Sequence, residues 1–230
     1  MSWQIIESGS LSPDEIMAKD AQLLNEIESI NSPILHFYDW NVPCLTYGYF
    51  TKPEMHIDLA SMHNLGLYAA KRPTGGGIIF HLTDLAFSVI LPSFYPGLST
   101  NSLENYYLIN SKVAQAISLF LSESKEPILN ICQKDVTECF SFCMAKPTQY
   151  DVVIDGKKAA GAAQRKTKKG LLHQGSISLC LPPKDLLAQI LKENILQAMA
   201  KNSYCLSPDA ENLQADRSRL KTLLVHEFFL

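Results

Sequence analysis

Residues 151–178 read DVVIDGKKAAGAAQRKTKKGLLHQGSIS, and their pattern sets the fold class. Val152, Val153 and Ile154 are a β-branched apolar run, and Asp155-Gly156 is a dipeptide suited to a type I′ turn. The pattern predicts a hairpin of strands 150–154 and 157–164, with a further strand over 171–181 after Lys168-Lys169-Gly170. Upstream, 3–7, 34–38, 43–49 and 67–72 read as strands, and 78–81 and 84–91 as two more joined by a tight connection. Helices are expected at 13–30, 55–63, 102–123, 183–194 and 213–228. The first of these has Ser12 as its cap, Pro13 in the first turn and Glu15 closing a capping box. Strands and helices are mixed and several strands pair as hairpins. The expectation is an α+β protein, a mostly antiparallel sheet with flanking helices, forming one domain over 1–230.

Composition narrows the functional classes. Hydrophobic residues make up 47% and charged residues 19% of the chain, ordinary values for a globular protein. A net charge of −3 provides no general basic field to gather nucleic acid. No apolar stretch reaches membrane-spanning length. The start, MSWQIIESGSLSPDE, lacks the basic opening and apolar run of a secretory signal, so the cytoplasm is the expected location. Cys44, Cys132, Cys139, Cys143, Cys180 and Cys205 fall at irregular spacings with no CxxC pair, which suits neither a zinc site nor a disulfide framework.

Two blocks carry chemistry. Residues 71–81, KRPTGGGIIFH, set a glycine triplet between Arg72 and His81. Such backbone approaches a ligand closely and exposes N–H groups to an anion, and arginine offers a planar donor fork. A flexible turn beside a surface arginine has the same sequence. In the hairpin, residues 157–169 hold six basic residues and no acidic one. Lysines commonly protect a hairpin edge. That leaves unexplained the small-residue run Ala159-Ala160-Gly161-Ala162-Ala163, a strand with little bulk, as if something lies against it.

Together the blocks R-x-x-G-G-G-x-x-x-H, D-G-K-K-x-x-G-x-A-Q and H-x-G-[ST] resemble the lipoate-protein ligase A and octanoyltransferase family, relatives of biotin-protein ligase. The resemblance implies a biotin/lipoate ligase catalytic-domain fold. In the ligases, lipoate and ATP, brought with Mg²⁺, give lipoyl-adenylate, and the acyl group passes to one lysine of a lipoyl domain. By resemblance, Arg72 with Gly75, Gly76 and Gly77 would hold the acyl carbonyl end and the phosphate. Lys158 would be the active-site lysine, polarising the carbonyl. His81 would shape the pocket, or simply pack in the core. Gly161, Ala162 and Ala163 would floor the acyl chain, Gln164 would add a polar contact, and His173 and Ser176 would line the adjacent strand. Arg165, Lys166, Lys168 and Lys169 would steer an acidic lipoyl domain.

Cys143 offers a second enzyme reading. CMAKPTQYD resembles C-x-x-x-P-[ST]-x-Y-[DE] of the cysteine-dependent octanoyltransferases. There a thiolate accepts octanoyl from acyl carrier protein and passes it to the lysine without ATP, splitting one acyl transfer into two easier steps. Leu82 after His81 also departs from the His-Asp pair common in ligases. Gly77 in place of the arginine of those transferases favours the ligase, by leaving room for a phosphate. On balance the sequence favours the lipoate ligase, with the octanoyltransferase as the alternative. A biotin-protein ligase, whose Gly-Arg-rich loop is missing, and a non-catalytic binding module stand further off. The acceptors implied are apo lipoyl domains of 2-oxoacid dehydrogenase complexes or the glycine cleavage H protein, and acyl carrier protein is the implied donor for a transferase. No metal-ligand cluster and no membrane partner are expected. The stretch after Leu181 is expected to hold helices but not the accessory domain of larger ligases, so adenylation would need a separate partner or would be lost.

Overall fold

The computed structural model describes residues 1–230 except 123, 132–141, 208 and 209, which leaves Glu123, Cys132 and Cys139 outside the described residues. In chain order come β1 (Gln4–Leu11), α1 (Pro13–Ile30), β2 (Ile34–Trp40), β3 (Cys44–Tyr47), α2 (Leu59–Asn64), β4 (Tyr68–Lys71), β5 (Ile78–His81) and β6 (Asp84–Pro92). Next are α3 (Ser102–Phe120), β7 (Ile128–Leu129), β8 (Val152–Ile154), β9 (Lys157–Lys166) and β10 (Gly170–Ser178). Helices α4 (Lys184–Leu187), α5 (Glu193–Asn202) and α6 (Leu213–Phe229) follow. The strands form a seven-stranded sheet, β1-β2-β6-β10-β9-β8-β7, and a three-stranded sheet, β4-β3-β5.

Local chemistry accounts for the best-defined pieces. Ser12 caps α1 as expected: its side chain accepts from the Glu15 N–H while Glu15 Oε2 accepts from Ser12 N at 2.8 Å. Asp155 and Gly156 take φ of 51° and 74°, the left-handed pair that a type I′ turn requires. In the larger sheet every pairing apart from parallel β1–β2 is antiparallel. The two central strands, β6 and β10, are buried along their whole length because both faces are covered. On one face Val113, Ile117, Leu220, Leu224 and Phe228 of α3 and α6 meet Phe87, Leu171 and Ile177. On the other, Leu23, Leu24 and Ile27 of α1 meet Ile34, Ile90 and Leu172. The smaller sheet has its own core, where Leu45, Ile78 and Phe80 pack against Leu191, Leu196 and Met199.

The structure departs from the sequence reading at four places. β5 and β6, adjacent in the chain, belong to different sheets, and β3 pairs in parallel with β4. The strand expected over 43–49 stops at Tyr47, where Thr51 N turns back to Gly48 O. The helix expected over 55–63 is a short 3₁₀ turn (Pro53–Met55) followed by α2, which Asp58 caps by accepting from Ala60 N and Ser61 N. The helix expected over 183–194 is broken, with Lys192 extended between α4 and α5. One continuous helix would spread Leu187, Ile190, Leu191, Ile195, Leu196 and Met199 around more than half its circumference, and the break lets all six reach the second core. No described helix is long and apolar enough to cross a membrane.

Candidate active site

A crevice between the two sheets collects most of the side chains singled out in the sequence. Arg72, His81, Cys143 and Lys158 line it, with Gly161, Ala162 and Ala163 from β9. Met17, Tyr38, Trp40 and Met144 supply apolar wall. Its volume, about 40 Å³, is room for one or two waters, so an acyl chain enters only if the walls give. Met17 and Met144 are the side chains best able to do so.

The glycine run reaches this crevice in a way the sequence did not foretell. Four of the five N–H groups of Arg72 bind its own neighbourhood. Nη1 donates to Thr46 O (3.0 Å) and Thr46 Oγ1 (2.8 Å), and Nη2 donates to Gly75 O (3.0 Å) and Gly77 O (2.8 Å). The triplet therefore turns carbonyls toward a cation, where N–H groups facing an anion were expected, and Gly75, Gly76 and Gly77 are not on the crevice wall. Gly76 has φ 86°, and a Cβ there would press on Arg72 Nη2 at 3.2 Å and Ala163 Cβ at 3.5 Å, so the loop does lie over the crevice. Thr51 Oγ1 and Thr74 Oγ1 pin it further, to Gly76 O (2.9 Å) and Gln174 Oε1 (2.7 Å). The last guanidinium donor, Nε, is buried with no hydrogen-bond partner among the described residues. Burial lowers the Arg72 pKa, and Cys143, which interacts electrostatically with the same guanidinium, opposes that shift most strongly.

Lys158 enters from β9 and pairs with Asp151 Oδ2 at 2.7 Å, both side chains almost fully buried. Thr148 also donates to Asp151, from its N at 2.6 Å and its Oγ1 at 2.8 Å. The Pro147-to-Asp151 stretch thus serves as a socket for the ammonium. A bulge at Val152/Val153 in the β8–β9 pairing sets Lys158 opposite Val153. Gly161 is required by close approach, since a Cβ there would collide with Cε and Nζ of Lys158. The small-residue strand is thin because the lysine lies across it.

His81 belongs to a buried chain of hydrogen bonds that the sequence did not reveal. Thr46 Oγ1, already accepting from Arg72, meets His81 Nε2 at 2.8 Å, and His81 Nδ1 donates to Asp84 Oδ2 at 2.8 Å. Ser176 Oγ donates to the same oxygen at 2.6 Å. Trp40 stacks on the imidazole, with ring centroids 4.5 Å apart. Burial acts to raise the Asp84 pKa, but the charge and hydrogen bond of His81 and the Ser176 hydroxyl outweigh it, and the net shift is downward. Asp84, Asp151 and Thr46 escaped notice because nothing local marks a lone carboxylate or hydroxyl as buried. Asp84 stands three residues after His81 and Asp151 closes the cysteine motif, which are the only sequence signals available.

Two expected contributors lie elsewhere. Gln164 is not on the crevice wall. Its amide donates to His173 Nδ1 at 2.9 Å, and it borders a separate surface pocket with Tyr49 and Phe50. Of the outer basic residues, Lys166 donates to Ser99 O and Lys169 to Asn25 O, so these two hold the far end of the hairpin to its neighbours. His173 is fully buried, which pushes its pKa down to about 3. Below pH ~6.5 the unfolded chain binds a proton there that the folded protein does not, so stability falls with pH between that value and about 3. Urea unfolding is expected to show a loss of about 2 kcal/mol from this group between pH 7 and pH 5. In His173→Gln that pH-dependent component should vanish; an unchanged slope would contradict the assignment.

Comparison with known proteins follows the same lines. Residues 12–215 match the lipoyl protein ligase A/B catalytic domain. The octanoyltransferase LipM of Anoxybacillus flavithermus is 31% identical over 211 residues, an alignment covering 87% of this chain and 74% of that one. LipM of Bacillus subtilis is 31% identical over 214 residues, with the same coverages of 87% and 74%. Among solved structures, T. acidophilum protein Ta0514 with bound lipoic acid superposes with a TM-score of 0.77 at 21% identity, covering 99% of this chain and 84% of that one. A lipoate-protein ligase A bound with ATP gives a TM-score of 0.73 at 21% identity, over 98% and 86% of the two chains. At these identities the structural matches speak to the fold. The match over residues 12–215 and the LipM identities go further: this chain belongs to the lipoyl protein ligase A/B catalytic domain family and is an enzyme of its lipoate ligase and octanoyltransferase group.

Proposed function

We propose that the chain is a cysteine-dependent octanoyltransferase, which carries octanoyl from an acyl carrier protein, through a thioester on Cys143, to the lysine of a lipoyl domain. The observation that carries this reading is the Cys143 thiol, interacting with the Arg72 guanidinium in the crevice that Lys158 enters. The LipM relatives, named octanoyltransferases, support it. The sequence leaned instead to an ATP-dependent ligase, on the ground that Gly77 leaves space for a phosphate. The Gly77 carbonyl is held by Arg72 and is not on the crevice wall, which lends that ground no support.

In the first step the Cys143 thiolate attacks the donor thioester carbonyl. A C–S bond to Cys143 forms, the C–S bond to the carrier breaks, and the carrier thiolate takes a proton. In the second step the acceptor amine attacks the Cys143 thioester, an amide forms and the cysteine sulfur leaves. Both steps pass through a tetrahedral oxyanion. The Lys158 ammonium and the free Arg72 Nε are the donors available to offset that charge, in a setting dry enough for them to count. Gly161–Ala163 with Met17, Tyr38 and Trp40 form the surface on which the apolar chain would lie. The His81–Asp84 pair works through Thr46 to hold Arg72.

With apo lipoyl domain as acceptor, octanoyl carrier protein without nucleotide is expected to give octanoylated product, and lipoate with Mg-ATP none. The reverse result would return the ligase. Gly161→Ala is a sharper probe. The clash falls on the end of Lys158 and on Asp151 Oδ1, so the variant strains this buried ion pair and its melting temperature should fall as well. The displaced ammonium should lower transfer roughly 10²-fold. A fully active Gly161→Ala enzyme would show that Lys158 need not lie where it does.

A further inference from the structure

Asp84 has one oxygen fully used and one with nothing to do. Oδ2 accepts from His81 and Ser176, while Oδ1 is buried without a hydrogen-bond partner among the described residues. Leaving a buried acceptor unpaired is costly, and more so when it is charged. A ligand that supplies a donor there would recover that cost.

Two cavities border Asp84. The larger, about 400 Å³, also has Arg217 in its wall, and Arg217 Nε donates to the Asp84 backbone carbonyl at 2.9 Å. A second cation entering on that side would be repelled. The smaller, about 20 Å³, has apolar walls from Ile79, Phe80, Met144 and Met199, polar atoms from Ser176 and Ser178, and no basic side chain in its lining. It shares Ile79, Met144 and Ser176 with the crevice that holds Cys143. A narrow, largely apolar sleeve bordering an unpaired carboxylate oxygen suits lysine, with its hydrocarbon stem and cationic tip, once Met144 and Met199 give way to admit it. His81 faces Oδ2 and leaves Oδ1 without a donor; a neutral arm of the acyl donor could supply one, but a cation adds attraction to the carboxylate.

We infer that this side cavity receives the acceptor lysine, its stem between Ile79, Phe80, Met144 and Met199 and its ammonium on Asp84 Oδ1, next to the acyl group on Cys143. The inference rests on the transferase reading and names where its second substrate sits. The ammonium first loses a proton to solvent. The free amine then forms the C–N bond as the C–S bond breaks, and its second proton goes to the departing Cys143 sulfur, giving amide and thiol.

The test uses protein already acylated on Cys143 and compares two small nucleophiles with the lipoyl domain. Butylamine is an ammonium ion near neutral pH, whereas hydroxylamine is uncharged. Asp84→Asn removes the charge and also loosens the His81–Thr46–Arg72 chain, so its rates of thioester formation and of hydroxylamine cleavage measure whatever is lost through Arg72. Transfer to the lipoyl domain and cleavage by butylamine should fall at least about tenfold further than hydroxylamine cleavage does. Ser178→Thr, which adds a single methyl group to the small cavity, should likewise slow transfer to the lipoyl domain and spare acylation. Equal losses with both small nucleophiles, or no loss with butylamine, would overturn the inference and leave the transferase standing. Failure of the native protein to form the thioester at all would overturn both.

Discussion

Cys143→Ser should lower octanoyl transfer to a lipoyl domain by about 10³-fold or more, with little change in melting temperature. The side chain is half-buried in a short 3₁₀ turn (Cys143–Ala145) at the crevice, so its sulfur is not needed to fill a core. A serine hydroxyl is a poor nucleophile without a partner base, and the basic groups nearby are already committed. Lys158 is paired with Asp151, and both nitrogens of His81 are engaged, by Thr46 and Asp84. Loss of activity without loss of fold would mark the thiol as the reacting group. A Cys143→Ser protein that still transfers octanoyl at a comparable rate would remove the nucleophile from the scheme.

Lys158→Met should cost both activity and stability, for separate reasons. Removing a cationic donor aimed at the oxyanion is expected to slow transfer by about 10²–10³-fold. Removing half of a buried ion pair leaves Asp151 charged and without its cation, at a cost of about 3–5 kcal/mol. The two effects can be separated by adding Asp151→Asn. The double variant should regain much of the lost stability, because no unpaired charge remains, while transfer stays slow. Denaturant unfolding and a transfer assay on the three proteins decide it. If activity returned together with stability, Lys158 would be a structural residue only.

How far these features could be read in the sequence depended on the range of the interaction. The α1 capping box and the Asp155-Gly156 turn are settled by a few neighbouring residues, and both were legible. The same holds for the small-residue run of β9, whose thinness does reflect something lying on it, although that something includes Lys158 of its own strand. Alternation along β5 and β6 announced two strands but carried no information on which sheet each would join. The helical spacing over 183–194 was real and was overridden by the need to bury more apolar side chains than one face can hold. At the site, residue types were legible and hydrogen-bond partners were not. Arg72 was recognised as a donor fork. That its donors are spent on Thr46, Gly75 and Gly77 depends on how β3 and the glycine loop meet in space. Asp84 and Asp151 look like any surface aspartate until burial and partners are known.

The decisive observation is the mass of the native protein after brief mixing with octanoyl carrier protein, with no nucleotide and no acceptor present. The structure leads us to expect one octanoyl group per chain, mapped to Cys143, removed by hydroxylamine and passed on when apo lipoyl domain is added. A protein that remains unmodified under these conditions, yet lipoylates the same domain when given lipoate and ATP, would contradict the thioester route.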